Sequence, residues 1–458
     1  MKKLVLASIT IALVAFGWRF TSMGADIITG YSAKQLCSGV FVAGLPESFV
    51  LERDIDPRMG SFLGPALGLL KLTVDKTAVE VRTQFLGFRS SAQYRPGLGC
   101  TLNPLDSPLA VDSAVGLRTV NAVGVADQVA PPASLAQAFT KAFAEPEAGG
   151  RNTLAIVVMH RGEVLGEHYI APVSPNTPMQ GWSMNKSLMA TWVGLQVERG
   201  ALSLDVSVLG ALHDSGQPLG DIDQKIDSGL SLYNLLHMES GFDFEEPYLP
   251  GDDATQMLYR SPQMWRVAPS RGHRYSPGEH FSYSSGDTNL ASFLWHSSLA
   301  GQPYQHWLQD NFVNPLGLGI VVAEPDFSGV QVGSSYTYMS ARDWANVGQF
   351  WLDAWHKRTD LLPDNWQREA TQSSSSDKDG VYGLGFWLNT QGKSYPKLPK
   401  SIFYAGGNSG QRVLVFPEQE MVIVRLGLSE KGADQGVEEF ATAVLQVLRG
   451  EKITGAVP

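Results

Sequence analysis

The most regular feature of the chain is a pair of apolar runs set back to back. Leu154-Ala155-Ile156-Val157-Val158-Met159-His160 is almost unbroken, turns at Arg161-Gly162, and returns as Val164 to Tyr169. So continuous a run predicts a strand buried on both faces, since a strand with one wet face alternates. A second hairpin lies near the end, where Arg412 to Phe416 and Met421 to Leu426 flank Pro417-Glu418-Gln419-Glu420, followed by a helix from Val437 to Leu448. A third is weaker: Leu70 to Val74 and Ala78 to Arg82 alternate around Asp75-Lys76-Thr77. Helical spacing appears at Leu135, Phe139 and Phe143. It appears again at Leu188, Met189, Trp192, Val193, Leu195 and Val197, where Gly200 provides the stop. Residues 205 to 370 read as short helices and loops rich in Trp and Tyr. Strands towards both ends with helices between them predict an α+β fold, an antiparallel sheet flanked by helices with a helical insertion. Pro131-Pro132 marks a boundary. The expected division is 1–25 as a leader, 26–130 as a small N-terminal extension containing a β-hairpin, and 131–455 as the main domain.

The leader bears on location. Lys2 and Lys3 precede an uncharged run from Leu4 to Trp18. That layout fits a secretory signal or an uncleaved N-terminal membrane anchor, although a full span usually needs about 20 apolar residues. Either way the bulk of the chain is expected outside the cytoplasm, in a periplasm, soluble or held at the inner membrane. The two cysteines, Cys37 and Cys100, then read as a disulfide rather than two separate thiols. A formal charge of -10, with no basic stripe, argues against a nucleic-acid partner or an anionic membrane surface and points to a small-molecule substrate. Membrane contact is expected only through the N-terminal segment.

The candidate chemistry begins with Ser-x-x-Lys, which occurs at Ser183/Lys186, Ser375/Lys378 and Ser394/Lys397. Only Ser183 stands where a glycine-led turn, Gly181-Trp182-Ser183, meets an amphipathic helix. One helical turn separates Ser183 from Lys186, so the amine reaches the hydroxyl. A serine needs such a proton acceptor, and a desolvated lysine supplies one. Tyr283-Ser284-Ser285 is the second candidate, with Tyr283 as a proton donor to a leaving group and Ser285 as a partner of the lysine. The third is Ala405-Gly406-Gly407-Asn408-Ser409-Gly410, whose glycines admit a substrate carbonyl close to backbone N–H groups. The nine histidines show no His-x-His or His-Glu-x-x-His pattern, so neither a metal nor another cofactor is expected. A Gly-x-Ser-x-Gly elbow is also missing, which excludes the usual triad hydrolases.

Together these elements resemble the motif set of the serine β-lactamase and penicillin-binding protein superfamily. Ser183-Met184-Asn185-Lys186 matches Ser-x-x-Lys, Tyr283-Ser284-Ser285 looks like Tyr-x-Asn or Tyr-x-Ser, and Ala405-Gly406-Gly407 falls where Lys-Thr-Gly or His-x-Gly stands. Leu235 to Gly241 resembles Leu-Leu-x-Met-x-Ser-Gly. The resemblance covers about residues 130 to 450 and is nearest the class C-like esterases and 6-aminohexanoate-dimer hydrolases. It implies a β-lactamase/DD-peptidase-like fold and an acyl-enzyme on Ser183, with Lys186 and Tyr283 sharing acid and base work. It also implies an oxyanion hole from the Ser183 N–H and an N–H near Asn408, with Ser285, Gly407 and Trp182 about the substrate. Trp182 and Tyr248 are expected walls of the pocket. The missing Lys or His in the third motif favours an ester or small linear amide over a penicillin. A β-lactamase or D-Ala-D-Ala-type peptidase, and a non-catalytic binder of cell-wall fragments, are the competing expectations.

Overall fold

In the computed structural model, residues 23–103, 127–249 and 251–451 are described; the apolar leader run lies outside them. Three sheets form. The first, in the extension, comprises β1 (Lys71–Asp75), β2 (Glu80–Phe85), β3 (Phe88–Arg95) and β4 (Gly99–Asn103), antiparallel in sequence order. The anticipated hairpin is thus half of a four-stranded sheet. The main sheet gathers β5 (Thr153–His160) and β6 (Glu163–Tyr169) with strands from the far end of the chain. A short third sheet uses β7 (Met179–Gln180), β8 (Val322–Ala323) and β9 (Thr337–Met339). The remaining strands are β10 (Trp387–Leu388), β11 (Phe403–Gly407), β12 (Gln411–Phe416) and β13 (Met421–Gly427). They give a main-sheet order of β10-β11-β12-β13-β5-β6.

The first hairpin and the last therefore meet, Val157 opposite Val424 in an antiparallel register. Burial on both faces explains their unbroken apolar sequences. Ala155, Val157 and Met159 of β5 join Val413, Val422 and Val424 in the core beneath the helical lobe. Ile156 and Val158 turn the other way, with Leu414, Phe416 and Ile423, onto an outer layer. That layer is the helix Ala136–Phe143, entered through a 3₁₀ turn Ala133–Leu135, and the terminal helix Val437–Leu448. Their rings meet edge to face at Phe139 and Phe440, 5.0 Å apart.

On the inner face lie the helix Asn185–Glu198, the long helix Ala341–Trp355 and, further out, the helix Ser285–Ser297. The first and third are buried almost all round, and Trp192 packs 5.5 Å from Trp295 between them. This sandwich fixes the start of the helix Asn185–Glu198 against the end of β11, where the chemistry-bearing residues fall.

The extension begins with a helix over 23–37 whose buried side chains, Ile27, Ile28, Tyr31 and Leu36, share the core beneath the helical lobe. Cys37 and Cys100 are disulfide-bonded, tying this helix to β4. Lys34 is 1% exposed and ion-paired with Glu324, which is 0% exposed. Glu324 also accepts from Ser38 Oγ at 2.8 Å and from the Cys100 N–H at 2.6 Å. A buried charge pair held by further hydrogen bonds fixes position more than it adds stability.

Candidate active site

Ser183 sits in a short 3₁₀ turn, Trp182–Met184, that feeds the helix Asn185–Glu198. The turn is forced: Trp182 has φ 49°, a left-handed value that costs energy for a residue with a side chain. It leaves Ser183 only partly buried while Lys186, three residues on, is 1% exposed. The other two Ser-x-x-Lys pairs are exposed at both residues.

The Lys186 Nζ has three hydrogen-bond partners: Ser183 Oγ at 3.1 Å, Ser285 Oγ at 2.9 Å and the Ser334 carbonyl at 3.5 Å. Burial pulls its pKa down to about 8, against the opposing pull of Glu246 and Asp287. At neutral pH roughly one lysine in ten is then the free amine. The partners decide where the lone pair points. A carbonyl only accepts. Ser285 has committed its own proton, donating Oγ–H to Glu246 Oε1 at 2.7 Å while its N–H donates to Oε2 at 2.7 Å. Both neighbours demand an N–H from the lysine, so the amine formed on losing a proton presents its lone pair to Ser183.

Tyr283 lies beneath this amine, which is 4.7 Å from the ring centroid. The ring is held against Trp387 at 5.0 Å and edge-on to Tyr382 at 5.6 Å. Burial, reinforced by Tyr382 and Glu246, pushes its phenol well above the ordinary value. Tyr283 therefore holds its proton at neutral pH, and the nearby lysine does not ease it off. Tyr248 is the second phenol. Its hydroxyl is buried near Ser183, Ser285 and Ser335 but makes no well-formed hydrogen bond among the described residues.

These groups open onto a cleft of about 340 Å³. Ser183, Glu246, Tyr248, Tyr283, Trp387, Tyr404, Gly406, Gly407, Asn408 and Arg412 line it. Gly407 is required to be glycine: a Cβ there would lie 2.2 Å from the Gly181 carbonyl oxygen and 3.2 Å from Trp182 Cβ. The nucleophile turn and the end of β11 are in backbone contact.

Of the residues singled out in the sequence, Ser183, Lys186, Tyr283 and Ser285 come together, and Gly407 and Asn408 line the same cleft. Tyr248 is a wall, as expected. Trp182 is not. Its indole is 2% exposed and lines a separate small cavity between the extension and the main domain. The left-handed backbone that presents Ser183 turns its neighbour inward.

The beta-lactamase family model matches residues 136–447, more than half of the chain. The chain belongs to the beta-lactamase family. It is accordingly a serine hydrolase. No curated protein matches this family member, but solved structures do. A protein classed as a 6-aminohexanoate-dimer hydrolase from Bacillus anthracis superposes with a TM-score of 0.54 at 16% identity, over 66% of this chain and 80% of the other. EstCE1, a hydrolase with promiscuous acyltransferase activity, gives 0.53 at 16%, over 69% and 98%. A penicillin-binding protein homologue from Caulobacter crescentus gives 0.52 at 16%, over 70% and 98%. At these identities the likeness is one of fold.

Two cleft residues of this beta-lactamase-family protein escaped the sequence reading. Glu246 comes from the loop Glu245-Glu246-Pro247, which has no periodicity to single out one acid from its neighbour. Arg412 is the second residue of β12, just before the apolar Val413 to Phe416 and opposite Gly406 in the register, and a cation at that point was the available signal. Its guanidinium donates to the Gly407 and Gln411 carbonyls at 3.0 and 2.7 Å and to the Tyr395 hydroxyl at 3.1 Å. Among the described residues no carboxylate pairs with it.

Proposed function

We propose that the protein cleaves an ester or a small linear amide through an acyl-enzyme on Ser183. The observation that carries this reading is the set of acceptors around Lys186, which leaves its lone pair for the Ser183 hydroxyl. Lys186 takes the Ser183 proton as Oγ bonds to the substrate carbonyl carbon. The oxyanion that forms is met by the Ser183 N–H and the N–H of Asn408. Tyr283 passes a proton to the departing alcohol or amine and regains one from Lys186 as the carbon–leaving-group bond breaks. Water then attacks the acyl carbon, giving its proton to the same lysine, which returns it to the Ser183 oxygen as the acid leaves.

Arg412, a cation on the cleft wall with no counter-ion among the described residues, supports substrates that carry a carboxylate away from the scissile bond. It partly replaces the Lys or His missing from the third motif. The disulfide supports an oxidising setting outside the cytoplasm. The test is a substrate panel: p-nitrophenyl butyrate, a p-nitrophenyl half-ester of a dicarboxylic acid, a linear aminohexanoate amide and nitrocefin. Turnover of the esters or the linear amide is expected, ahead of nitrocefin, and lost in Ser183→Ala. Arg412→Gln should raise KM for the half-ester selectively. A panel turned over only as nitrocefin, or not at all, counts against the proposal.

A further inference from the structure

The family match begins at residue 136, so the extension lies outside it, yet one extension side chain reaches the back of the cleft. Arg58 stands on the helix Asp56–Leu63. Its guanidinium donates through Nη2 to Ser409 Oγ and lies 5.5 Å from the Trp182 ring centroid. Trp182 adjoins Ser183, and Ser409 adjoins Asn408. Both have left-handed backbones, φ 49° and 58°, conformations that side-chain-bearing residues keep only where their surroundings hold them.

Arg58 touches both corners at once. It is itself held by Asp54, whose Oδ1 is 3.0 Å from Nε and also accepts from the Tyr31 hydroxyl at 2.7 Å. A planar guanidinium suits this place, because it can stack on the indole while its edge donates to the serine.

Resting on the acyl-enzyme reading above, we infer that Arg58 is a positioning residue contributed by the extension. It ties the turn carrying Ser183 to the loop carrying Asn408, and so fixes the separation of the two N–H groups that receive the oxyanion. The two segments are already in backbone contact at Gly407 and Gly181, so a small relative slip changes the hole directly. The extension has other anchors in the Cys37–Cys100 disulfide, the Lys34–Glu324 pair and the Arg53 bond to Asn152 Oδ1 at 2.9 Å. Loss of Arg58 therefore frees the two corners without detaching the extension.

The experiment compares Arg58→Ala, Arg58→Lys, Ser409→Ala and the control Arg53→Ala in the full chain. It measures kcat and KM on p-nitrophenyl butyrate and the rate at which an alkyl phosphonate, which forms a tetrahedral anion, inactivates the enzyme at Ser183. Arg58→Ala is expected to lower kcat about 10-fold or more, with KM within about twofold and phosphonate inactivation slowed in proportion. Ser409→Ala, which removes one oxygen and leaves folding intact, should lower kcat about threefold, and Arg58→Lys should recover part of the loss. Arg53→Ala should match the unaltered protein. Wild-type kcat and inactivation rates in both Ser409→Ala and Arg58→Lys would overturn the inference while leaving the acyl-enzyme reading in place. Failure of the unaltered protein to be inactivated at all would overturn both.

Discussion

Replacing Glu246 by glutamine tests how the proton acceptor is prepared. The carboxylate and the Lys186 amine meet at the Ser285 hydroxyl through hydrogen bonds of 2.7 and 2.9 Å, which sets the charges about 5 Å apart. At an effective dielectric near 20, a charge at that separation is worth about 3 kcal/mol, or about two pKa units. Burial pushes the Glu246 carboxyl up, with Lys186 and Ser285 opposing, so about two units is an upper bound on the effect. The sign is fixed. Glu246 raises the lysine, so its removal drops the pKa of Lys186 from about 8. The active form is the free amine, and the rising limb of kcat/KM should move to lower pH by up to about two units. A second consequence opposes the gain. The glutamine amide is a donor, so the Ser285 hydroxyl proton turns back towards Lys186 and competes for the lone pair aimed at Ser183. The plateau of kcat should fall by about tenfold. Ester hydrolysis followed from pH 5 to 10 in both proteins reads both effects. An unmoved limb, or one displaced to higher pH, would refute this account of the lysine.

Other consequences can be checked separately. Tyr283→Phe keeps the ring beneath Lys186 but removes the proton donor. It should slow amides with poor leaving groups by about 100-fold and p-nitrophenyl esters far less, and equal losses on both would contradict a donor role. Lys34→Met leaves Glu324 buried without its cation, and denaturant unfolding should show a loss of about 3–5 kcal/mol. The double change Lys34→Met with Glu324→Gln should recover much of that loss, and additive losses would contradict a coupled pair.

Much of the scaffold was legible because burial leaves a mark on composition. β5 and β13 are covered on both faces, and their runs said so; the helix Asn185–Glu198 ended at Gly200 as its spacing foretold. The extension sheet was only half visible. Phe88–Arg95 is polar along much of its length, with intermediate burial at most positions and no alternation to read. Ser183, Lys186 and Tyr283 were legible as spaced motifs around a turn and a helix start. Arg412 was marked only by a cation at the head of an apolar strand. Glu246 and Arg58 were not legible, because each reaches its place through tertiary contact between segments far apart in the chain, and local sequence carries no trace of such contacts. Trp182 shows the converse limit: adjacency to the nucleophile suggested the cleft, but a left-handed φ of 49° at that residue sent the indole the other way.

The whole account depends on the Ser183 oxygen bonding to substrate. Acid-quenching the enzyme during turnover of a slow ester, then mapping its peptides by mass, addresses that bond directly. The predicted result is one acyl group per chain, on the peptide that contains Ser183, and none in Ser183→Ala, which is also inactive. An acyl group on another residue, or undiminished hydrolysis by Ser183→Ala, would contradict it.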